Sequence, residues 1–362
     1  MGNFVQMFEK LTYNSSSIHF GPLSESSFQK ILNEDFASSK KVIITDANVY
    51  ELWITDLTTN YPALAKAEII QIPAGEENKT IEVCTQIWAA LSEYEISRND
   101  LIINFGGGVI TDLGGFVASL FKRGLKFINI PTTLLSMVDA SVGGKTGVDL
   151  GPYKNQIGVF SDAEHVFIDE KFLETLPSQE IRSGFAEMIK HGLIADVEYW
   201  TKLKDFDPLK DGDRLSFICH SVALKRDIVS KDHQEGGLRK ILNFGHTVGH
   251  AIEGYFLAKN KPILHGFAVA TGMMAESFIS MQMGLLSANE YDEIINTIEK
   301  DFEIAELEVS DYKKIIQLMH NDKKNHSGII QFSLLEGIGR CVFDQEVSDK
   351  LILESLKSLK RI

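Results

Sequence analysis

The amino-acid sequence predicts an α/β domain followed by an all-α domain, with the boundary near residue 177. Up to that point, short runs rich in β-branched residues alternate with segments whose apolar residues recur at helical spacing, which is typical of parallel β-α-β units. Beyond it, long amphipathic segments follow one another, and strand signals are nearly absent until Ile329. The chain has 362 residues, 44% of them hydrophobic, which is enough for two domains with their own cores.

Each predicted strand of the first domain is a short apolar run with a clear end. Asp46 closes the first run, and Gly106–Gly107–Gly108 ends the third. The predicted strands cover residues 42–46, 69–73, 101–105, 127–131 and 166–169. Apolar residues at helical spacing predict helices between them over residues 81–94 and 109–120.

The second domain is predicted to be helical because its apolar residues keep a helical spacing over long stretches. The predicted helices cover residues 180–194, 215–230, 242–256, 269–283, 289–302 and 312–320. A strand is predicted after them, over residues 329–335.

Composition argues against several classes of protein. The formal net charge is −14, whereas a nucleic-acid-binding surface needs clustered cations. The three cysteines, Cys84, Cys219 and Cys341, are odd in number and far apart, which favours a reduced, cytoplasmic setting. The N-terminus lacks the basic start and apolar run of a signal peptide, and no run of about 18 apolar residues predicts a membrane span.

A strand that runs into Gly106–Gly107–Gly108 and then into a helix predicts a cradle for a phosphate group. Glycines let a ligand approach the backbone, and the helix N-terminus offers free N–H groups. The motif is not the G-x-G-x-x-G dinucleotide fingerprint, and a simple tight turn is the alternative. Asp46, at the end of the first strand, suits ribose hydroxyls or the capping of a helix. Thr132 and Thr133 follow another strand at the same edge of the sheet.

The stretch Gly143–Thr146 is similar to part of a phosphate-binding P-loop, but Asp139 stands where that motif requires its first glycine. We therefore reject a nucleoside triphosphatase. The two glycines beside Lys145 still suit a single phosphate. Three further cations could complete a pocket: Arg123, Lys154 and Lys190. The alternative for each of them is a solvated surface side chain.

The stretch Asn243–Glu253 carries His246 and His250, four residues apart in a predicted helix and therefore on one face of it. A third histidine follows at His265, and Glu187 lies upstream. Imidazoles with a carboxylate form the three-ligand zinc sites that leave one position open for chemistry. Spacing alone leaves open the alternative that the helix histidines are satisfied by backbone partners.

Longer motifs extend across most of the chain. They are Gly-Gly-Gly-Val-Ile-Thr-Asp (106–112), Pro-Thr-Thr-Leu-Leu (131–135), Val-Asp-Ala-Ser-Val-Gly-Gly-Lys-Thr (138–146), Lys-Asn-Gln-Ile-Gly (154–158), Gly-Phe-Ala-Glu (184–187) and the histidine stretch. From about Asp46 to Gly339 the chain closely resembles the 3-dehydroquinate synthase family of sugar-phosphate cyclases. The resemblance implies a Rossmann-like, parallel-sheet NAD-binding domain over residues 1–177 and an α-helical metal- and substrate-binding domain over residues 178–362. It also implies NAD and Zn²⁺ as cofactors, with Co²⁺ as an alternative metal, and a homodimer.

The resemblance also implies roles for single residues. Glu187, His246 and His265 would bind the metal, whereas His250 would face the substrate and take part in proton transfer. The NAD contacts would be Asp46, Glu76, Lys79, Gly107, Gly108, Asp112, Thr132, Thr133, Asp139, Lys154 and Thr175. The substrate contacts would be Lys145, Asn155, Lys190, Lys225, Arg239, Asn243 and Lys324, with Lys323 as the alternative to Lys324. Arg123 would reach across the dimer interface to a neighbour's substrate phosphate.

The activity that the resemblance implies is that of a carbon–oxygen lyase of the shikimate pathway, which leads to aromatic amino acids. Its substrate would be a sugar-acid phosphate, 3-deoxy-D-arabino-heptulosonate 7-phosphate, and its products 3-dehydroquinate and phosphate. The steps would be transient oxidation by NAD, β-elimination of phosphate, re-reduction, ring opening and intramolecular aldol closure. One alternative is another sugar-phosphate cyclase, against which the carboxylate-binding pair Lys225 and Arg239 argues. The other is a metal-dependent NAD alcohol or glycerol dehydrogenase, which needs no phosphate-binding set.

Overall fold

The first part of the chain is organised around a parallel β-sheet. The structure is a computed structural model, and it describes residues 10–151, 153–320 and 330–360. The elements up to residue 168 are β1 (Lys10–Tyr13), β2 (Ser16–Phe20), α1 (Phe28–Glu34), β3 (Lys41–Asp46), α2 (Ala47–Asn60), β4 (Glu68–Ile72), α3 (Ile81–Glu93), β5 (Leu101–Gly106), α4 (Gly108–Leu120), β6 (Lys126–Pro131), β7 (Lys145–Leu150), β8 (Tyr153–Phe160) and β9 (His165–Ile168). In the described residues the main sheet has seven strands in the order β1-β2-β9-β6-β5-β3-β4, parallel throughout except for β1 against β2.

The rest of the chain is mostly helical. Its elements are α5 (Ser178–Ala195), α6 (Val197–Leu203), α7 (Arg214–Lys231), α8 (His246–Ala258), α9 (His265–Gln282), α10 (Ala288–Asp301), α11 (Tyr312–His320), β10 (Ile330–Leu335), β11 (Cys341–Val347) and α12 (Asp349–Ser358). The chain divides into two compact units. The first holds the residues up to Pro177 together with Asp213–Arg226, and the second holds Ser178–Gly212 and the residues from Asp227 onward. Across the described residues, no helix combines the length and the apolar character that crossing a bilayer requires.

The fold class predicted from the sequence is confirmed. The predicted strands correspond to β3, β4, β5, β6, β9 and β10. The apolar runs of β3, β5, β6 and β9 fill buried strands, whereas β4 lies at the edge of the sheet. Val42–Ile44 in β3 and Leu101–Ile103 in β5 have no exposed surface. The parallel register of β3, β5 and β6 brings their carboxyl ends to one edge of the sheet.

Several elements differ from the sequence prediction. The first 40 residues contain β1, β2 and α1, and residues 145–160 form the antiparallel hairpin of β7 and β8. These strands are short and polar or glycine-containing, so no apolar run marks them. The helix predicted from residue 242 begins only at His246. Gly245 has a φ angle of 79°, a left-handed conformation that a right-handed helix cannot include.

Glycines let helices α5, α8 and α9 approach each other at backbone distance. A Cβ atom on Gly266 would lie 2.0 Å from the carbonyl oxygen of Ser183 in α5. A Cβ atom on Gly272 of α9 would lie 2.0 Å from the carbonyl oxygen of Gly245, at the start of α8. Further along α8, a Cβ atom on Gly249 would lie 3.0 Å from the carbonyl oxygen of Ala268. The two helices therefore run antiparallel, with backbone packed on backbone.

The hydrophobic core of the second unit lies on the other side of these helices. Val248 and Ile252 of α8 pack with Ile279 of α9 and with Ile315 of α11. Strand β10 adds Phe332, which is 1% exposed. The apolar stripe of α8 thus faces the core, and its remaining face is available for the histidines.

The three cysteines are all reduced and lie in apolar surroundings. Cys84 and Cys219 are buried, and Cys341 is partly buried. Burial raises the pKa of the Cys84 and Cys219 thiols to about 12, and it raises that of Cys341 well above its usual value. None of the three carries a thiolate at neutral pH.

Two histidines face each other on neighbouring strands of the sheet. Nε2 of His19 in β2 lies 3.2 Å from Nδ1 of His165 in β9, and the His19 ring stacks on Phe167 at a centroid distance of 4.5 Å. Ser27 contacts the other ring nitrogen of His19 at 3.3 Å. Burial, and then the neighbouring His165, lower the pKa of His19 to about 4. The folded protein therefore holds this imidazole neutral.

We expect Gly272→Ala to destabilise the protein by about 3 kcal/mol, because the added methyl group meets backbone that cannot rotate away. Gly254→Ala in α8 is the matched control, since no described atom lies within 4 Å of its Cβ position. That change should stabilise the helix by up to about 1 kcal/mol. Thermal unfolding of both variants checks the pair. Equal effects of the two substitutions would contradict the close packing of α8 on α9.

We expect acid to destabilise the fold through His19. The unfolded imidazole binds a proton near pH 6.5, whereas the folded one does so only near pH 4. Stability contributed by this residue is therefore present above pH 6.5 and is lost as the pH falls from 6.5 to 4. His19→Gln should flatten the dependence of the unfolding free energy on pH in this window, measured by urea denaturation. An unchanged slope would contradict the buried, neutral imidazole.

Candidate functional site

Three helices of the second unit bring the predicted metal ligands together. Glu187 lies in the middle of α5, and His246 and His265 are the first residues of α8 and α9. Nε2 of His246 lies 3.6 Å from Oε1 of Glu187, and Nε2 of His265 lies 3.7 Å from the same oxygen. The two imidazole rings have centroids 5.5 Å apart. One carboxylate oxygen therefore faces two imidazole nitrogens.

These separations fit a divalent cation with tetrahedral ligands. Metal–ligand bonds of roughly 2.0–2.2 Å put two ligands of such an ion about 3.4 Å apart, close to the 3.6 and 3.7 Å found here. Glu187 is fully buried, and neither of its oxygens accepts a well-formed hydrogen bond within the described residues. His250 is exposed, and its ligand atom lies within 4.8 Å of those of His246 and His265. Geometry therefore also permits a set of three histidines.

Nδ1 of each predicted histidine ligand has a partner that can only accept a hydrogen bond. Nδ1 of His246 lies 3.1 Å from the carbonyl oxygen of Phe244, and Nδ1 of His265 lies 3.3 Å from Oε2 of Glu253. Each Nδ1 therefore carries the hydrogen atom, and Nε2 is the nitrogen that faces Glu187 and can bind a cation. Carbonyl and carboxylate partners of this kind fix histidine ligands in metal sites.

A buried lysine neutralises the second oxygen of Glu187. Lys190, one helical turn further along α5, forms an ion pair with Oε2. Burial alone would raise the pKa of Glu187, but Lys190 and the two histidines hold it well below its usual range. Burial, and then Lys190, lower the pKa of His246, which keeps that ring neutral as a ligand must be. For His265, burial is outweighed by Glu187 and Glu253, which raise its pKa to about 10. A cation bound at Nε2 of His265 would therefore displace a proton from this ring.

Two predicted substrate residues lie directly before α8. Arg239 is only 2% exposed, and its Nη1 donates to the carbonyl oxygen of His233 at 2.6 Å. Nδ2 of Asn243 donates to Oε1 of Glu235 at 2.6 Å. The guanidinium and the amide are therefore held in defined orientations close in sequence to His246.

The glycine turn of the first unit joins β5 to α4. Gly107 has an extended backbone and stands directly before Gly108, the first residue of α4. A Cβ atom on Gly107 would lie 3.0 Å from Cγ2 of Thr133, and one on Gly106 would lie 2.5 Å from Cγ1 of Ile110. The glycines thus allow the strand, the helix and the loop after β6 to meet closely. The first N–H groups of α4 lie at the carboxyl edge of the sheet, an arrangement that suits a phosphate group.

Asp46 and Thr132 belong to the same edge of the sheet. Oδ1 of Asp46 accepts hydrogen bonds from the backbone N–H groups of Asn48 and Val49 at 2.9 and 3.0 Å. Asp46 therefore caps α2, which is the alternative role that the sequence predicts for it. The N–H of Thr132 donates to the carbonyl oxygen of Gly106 at 2.9 Å, which fixes the loop after β6 against the glycine turn.

A buried lysine connects a residue predicted to contact NAD with a residue predicted to contact the substrate. Nζ of Lys79 donates to Oδ2 of Asp112 at 2.6 Å and to Oδ1 of Asn155 at 2.7 Å. Burial alone would lower the pKa of Lys79, but Asp112 and then Glu76 raise it above its usual value. The ammonium group is thus a fixed charge at the centre of a polar network.

Two further predicted pairs form ion pairs in the first unit. Nζ of Lys225 donates to Oδ1 of Asp139 at 2.6 Å and to its carbonyl oxygen at 2.5 Å. Nζ of Lys154 lies 3.5 Å from Oε1 of Glu76. Residues predicted to touch NAD are therefore paired with one another or with a predicted substrate residue.

Thr175 and Arg123 contact other parts of the first unit. Oγ1 of Thr175 accepts a hydrogen bond from Nε1 of Trp53 at 3.0 Å. Arg123 is exposed and lines a pocket of about 430 Å³ that contains none of the other predicted cofactor or substrate residues. Lys145 is the exposed first residue of β7. Lys324 and its alternative Lys323 lie outside the described residues.

The sequence prediction missed three groups that orient the histidines. They are the carbonyl group of Phe244, the carboxylate of Glu253 and the carboxylate of Glu276 in α9, which accepts a hydrogen bond from Gly245 at 2.6 Å. Glu253 follows His246 by two helical turns on the same face of α8, so that spacing was a usable signal. No sequence signal points to the other two, since both depend on the turn before α8.

Two family models and curated relatives of this chain carry the same description. The family model described as 3-dehydroquinate synthase N-terminal matches residues 69–183, and the one described as 3-dehydroquinate synthase C-terminal matches residues 184–325. The 3-dehydroquinate synthase of Parabacteroides distasonis is 44% identical over 329 residues, which cover 89% of this chain and 93% of that protein.

Two solved structures share the fold. The 2-epi-5-epi-valiolone synthase of Streptomyces hygroscopicus, solved with NAD⁺ and Zn²⁺ bound, has a TM-score of 0.84 at 26% identity and covers 96% of this chain and 97% of its own. A 2-deoxy-scyllo-inosose synthase has a TM-score of 0.83 at 23% identity, covering 96% of this chain and 99% of its own, which supports the fold alone. Both family models match, and a relative of 44% identity covers most of the chain. The chain therefore belongs to the 3-dehydroquinate synthase family.

Proposed function

We propose that the chain converts 3-deoxy-D-arabino-heptulosonate 7-phosphate to 3-dehydroquinate and phosphate, as a carbon–oxygen lyase of the cytoplasm. The observation that carries this proposal is the cluster of Glu187, His246 and His265 in a chain whose curated relatives, 36–44% identical, are 3-dehydroquinate synthases. These relatives do not favour a sister cyclase or an alcohol dehydrogenase. The reduced, buried cysteines support the cytoplasmic assignment.

In this proposal Glu187, His246 and His265 hold Zn²⁺, which Co²⁺ can replace, and the first unit holds NAD. The metal supplies Lewis acidity toward a substrate hydroxyl, and NAD supplies a reversible hydride acceptor. The valiolone synthase with NAD⁺ and Zn²⁺ supports both groups. The buried carboxylate of Glu187, one oxygen of which faces both imidazoles, and the paired Nδ1 atoms of His246 and His265 support this ligand set.

We assign proton transfer to His250. Its ring centroid lies 5.1 Å from that of His246 and 5.8 Å from that of His265, and its side chain is exposed. An imidazole exchanges a proton near neutral pH, so a histidine beside the ligands can take or return the proton of a reacting hydroxyl. Asn243, held by Glu235, would orient the same part of the substrate.

We assign substrate binding to the cations. The buried guanidinium of Arg239 suits a carboxylate, which it can bind with two parallel hydrogen bonds. Lys190 would keep the second oxygen of Glu187 neutralised while the first oxygen binds the metal. The remaining proposed substrate contacts are Lys145, Asn155, Lys225 and Lys324.

The NAD contacts proposed from the family include residues for the phosphate groups and one for the ribose. Gly107, Gly108, Thr132 and Thr133 would line the phosphate cradle, and Asp46 would add its second oxygen to the ribose. Lys79 would act mainly by fixing Asp112, since its ammonium group is already bound there. The other proposed contacts are Glu76, Asp139, Lys154 and Thr175.

We also propose a homodimer in which Arg123 reaches the neighbouring subunit's substrate phosphate. Arg123 is exposed and has a φ angle of 69°, and Lys122 before it has a φ angle of 49°. Left-handed backbone at two successive residues other than glycine is costly and is retained where it presents a functional side chain.

A single mixture tests the reaction. Zinc-loaded protein, NAD and the heptulosonate phosphate are combined, and phosphate release is followed together with absorbance at the NADH band. We expect phosphate release without accumulation of NADH, and 3-dehydroquinate as the product. Steady NADH formation without phosphate would instead identify a dehydrogenase.

We expect His265→Ala to lose bound zinc and turnover together, because only two protein ligands remain. His320→Ala is the control, since His320 is a helix histidine paired with Asp349 at the surface. Metal analysis after dialysis, alongside the phosphate-release assay, measures both properties. Full zinc content in the His265 variant would remove that residue from the ligand set.

We expect Arg123→Ala to lower kcat/KM by about 10- to 100-fold, the range for a lost hydrogen bond to a charged group, while the Kd for NAD stays unchanged. Lys30→Ala, which removes an exposed cation paired with Glu34, is the control. Steady-state kinetics gives kcat/KM, and the quenching of protein fluorescence on titration with NAD gives the Kd. A collapse of NAD affinity would show that Arg123 serves the cofactor.

A further inference from the structure

Helix α8 has no side chain of its own to cap its N-terminus. The residue before its first turn is Gly245, and no side chain in the helix's own sequence fills the capping position. The carboxylate of Glu276, in the middle of α9, takes this role from the neighbouring helix. Its Oε2 accepts a hydrogen bond from Gly245 N–H at 2.6 Å, and its Oε1 accepts one from Val248 N–H at 3.0 Å. The N–H of Thr247 is a third donor to this carboxylate.

The peptide group that Glu276 binds also holds a metal ligand. The N–H of Gly245 and the carbonyl of Phe244 belong to one planar peptide unit. The N–H side donates to Glu276, and the carbonyl side lies 3.1 Å from Nδ1 of His246. One rigid group therefore connects the buried carboxylate to the imidazole. Rotation of this peptide would break both hydrogen bonds at once.

The position of Glu276 gives it no direct route to a bound metal. His265, on the same helix, lies several turns before Glu276. The contact of Glu276 is instead with the turn that precedes His246, where Gly272 and Gly245 are packed backbone to backbone. Glu276 therefore contacts the backbone on both sides of His246, at Gly245 and at Val248.

We propose that Glu276 is a positioning residue for the metal site: by binding the peptide between Phe244 and Gly245 and capping α8, it fixes the tautomer and direction of the His246 imidazole. This inference rests on the proposed role of His246 as a ligand. It assigns to a fully buried acid, outside the ligand set, control over how well the site binds a cation. Hydrogen-bonded groups of this kind polarise one another, so the contact of Glu276 with this peptide also strengthens the hydrogen bond from His246 to the carbonyl.

The test is the Zn²⁺ affinity of the metal-free protein, measured by competition with a chromophoric chelator. Glu276→Gln keeps the size of the side chain but replaces one of its two acceptor oxygens by an NH2 group, which cannot accept a hydrogen bond from Gly245 or Val248. We expect its Kd for Zn²⁺ to rise by about tenfold or more, the range for partners that orient a histidine ligand. The visible absorption spectrum of the Co²⁺-loaded protein should change in intensity as well, because the geometry at His246 changes.

Ser280→Ala is the matched control on the same helix. Ser280 is fully buried, and its hydroxyl accepts a hydrogen bond from the N–H of Leu335 at 3.1 Å, away from the start of α8. We expect this variant to lose thermal stability and to keep its Kd for Zn²⁺ within twofold. If Glu276→Gln does not fold, Glu276→Asp, which keeps the charge on a shorter side chain, takes its place with the same expected direction.

The outcomes separate this inference from the proposed function. Unchanged Zn²⁺ affinity in the Glu276 variant, or an equal loss in the Ser280 variant, would overturn the positioning role. Either result would leave the metal site intact as long as His265→Ala abolishes binding. Failure of the unmodified protein to bind one Zn²⁺ would overturn both proposals together.

Discussion

The structure of the second unit depends on the backbone contact among α5, α8 and α9. Gly266 allows the start of α9 to touch α5, and Gly272 allows its middle to touch the turn before α8. Because the first residues of α8 and α9 are His246 and His265, these contacts set the distance of both imidazoles from Glu187. A side chain at either glycine would separate helices by more than the tolerance of a metal–ligand bond. The packing of the three helices therefore determines the geometry of the ligands.

Three carboxylates are buried in these helices, and each is stabilised in a different way. Glu187 has the ammonium of Lys190 on one oxygen and imidazoles on the other side. Glu253 is paired with His265. Glu276 accepts backbone N–H groups at a helix N-terminus, where the helix dipole favours negative charge, although burial still raises its pKa to about 8. The protein can thus bury three carboxyl groups in these helices because each has a specific partner.

Much of the fold was predictable from sequence, because the central strands are β-branched runs and the later helices have a regular apolar spacing. β1 and β2 escaped prediction because they are short and mix polar with apolar residues. The start of α8 was misplaced because Gly245 interrupts the helix without interrupting the pattern. The choice of His246 and not His250 as a metal ligand came from the family resemblance, since spacing alone placed both on one face of a helix. Of the partners that orient the histidines, only Glu253 had a sequence signal, its spacing from His246. The pairs Lys79–Asp112 and Lys225–Asp139, like the contact of Glu276 with Gly245, join residues whose proximity exists only after folding.

The buried thiols have a practical consequence for work with oxygen and metals. With pKa values raised by burial, Cys84, Cys219 and Cys341 present almost no thiolate, which is the form that reacts with peroxide and that competes for zinc. Because burial keeps these thiols protonated, the protein's sulfur atoms compete poorly with its carboxylate and histidine ligands for a zinc ion.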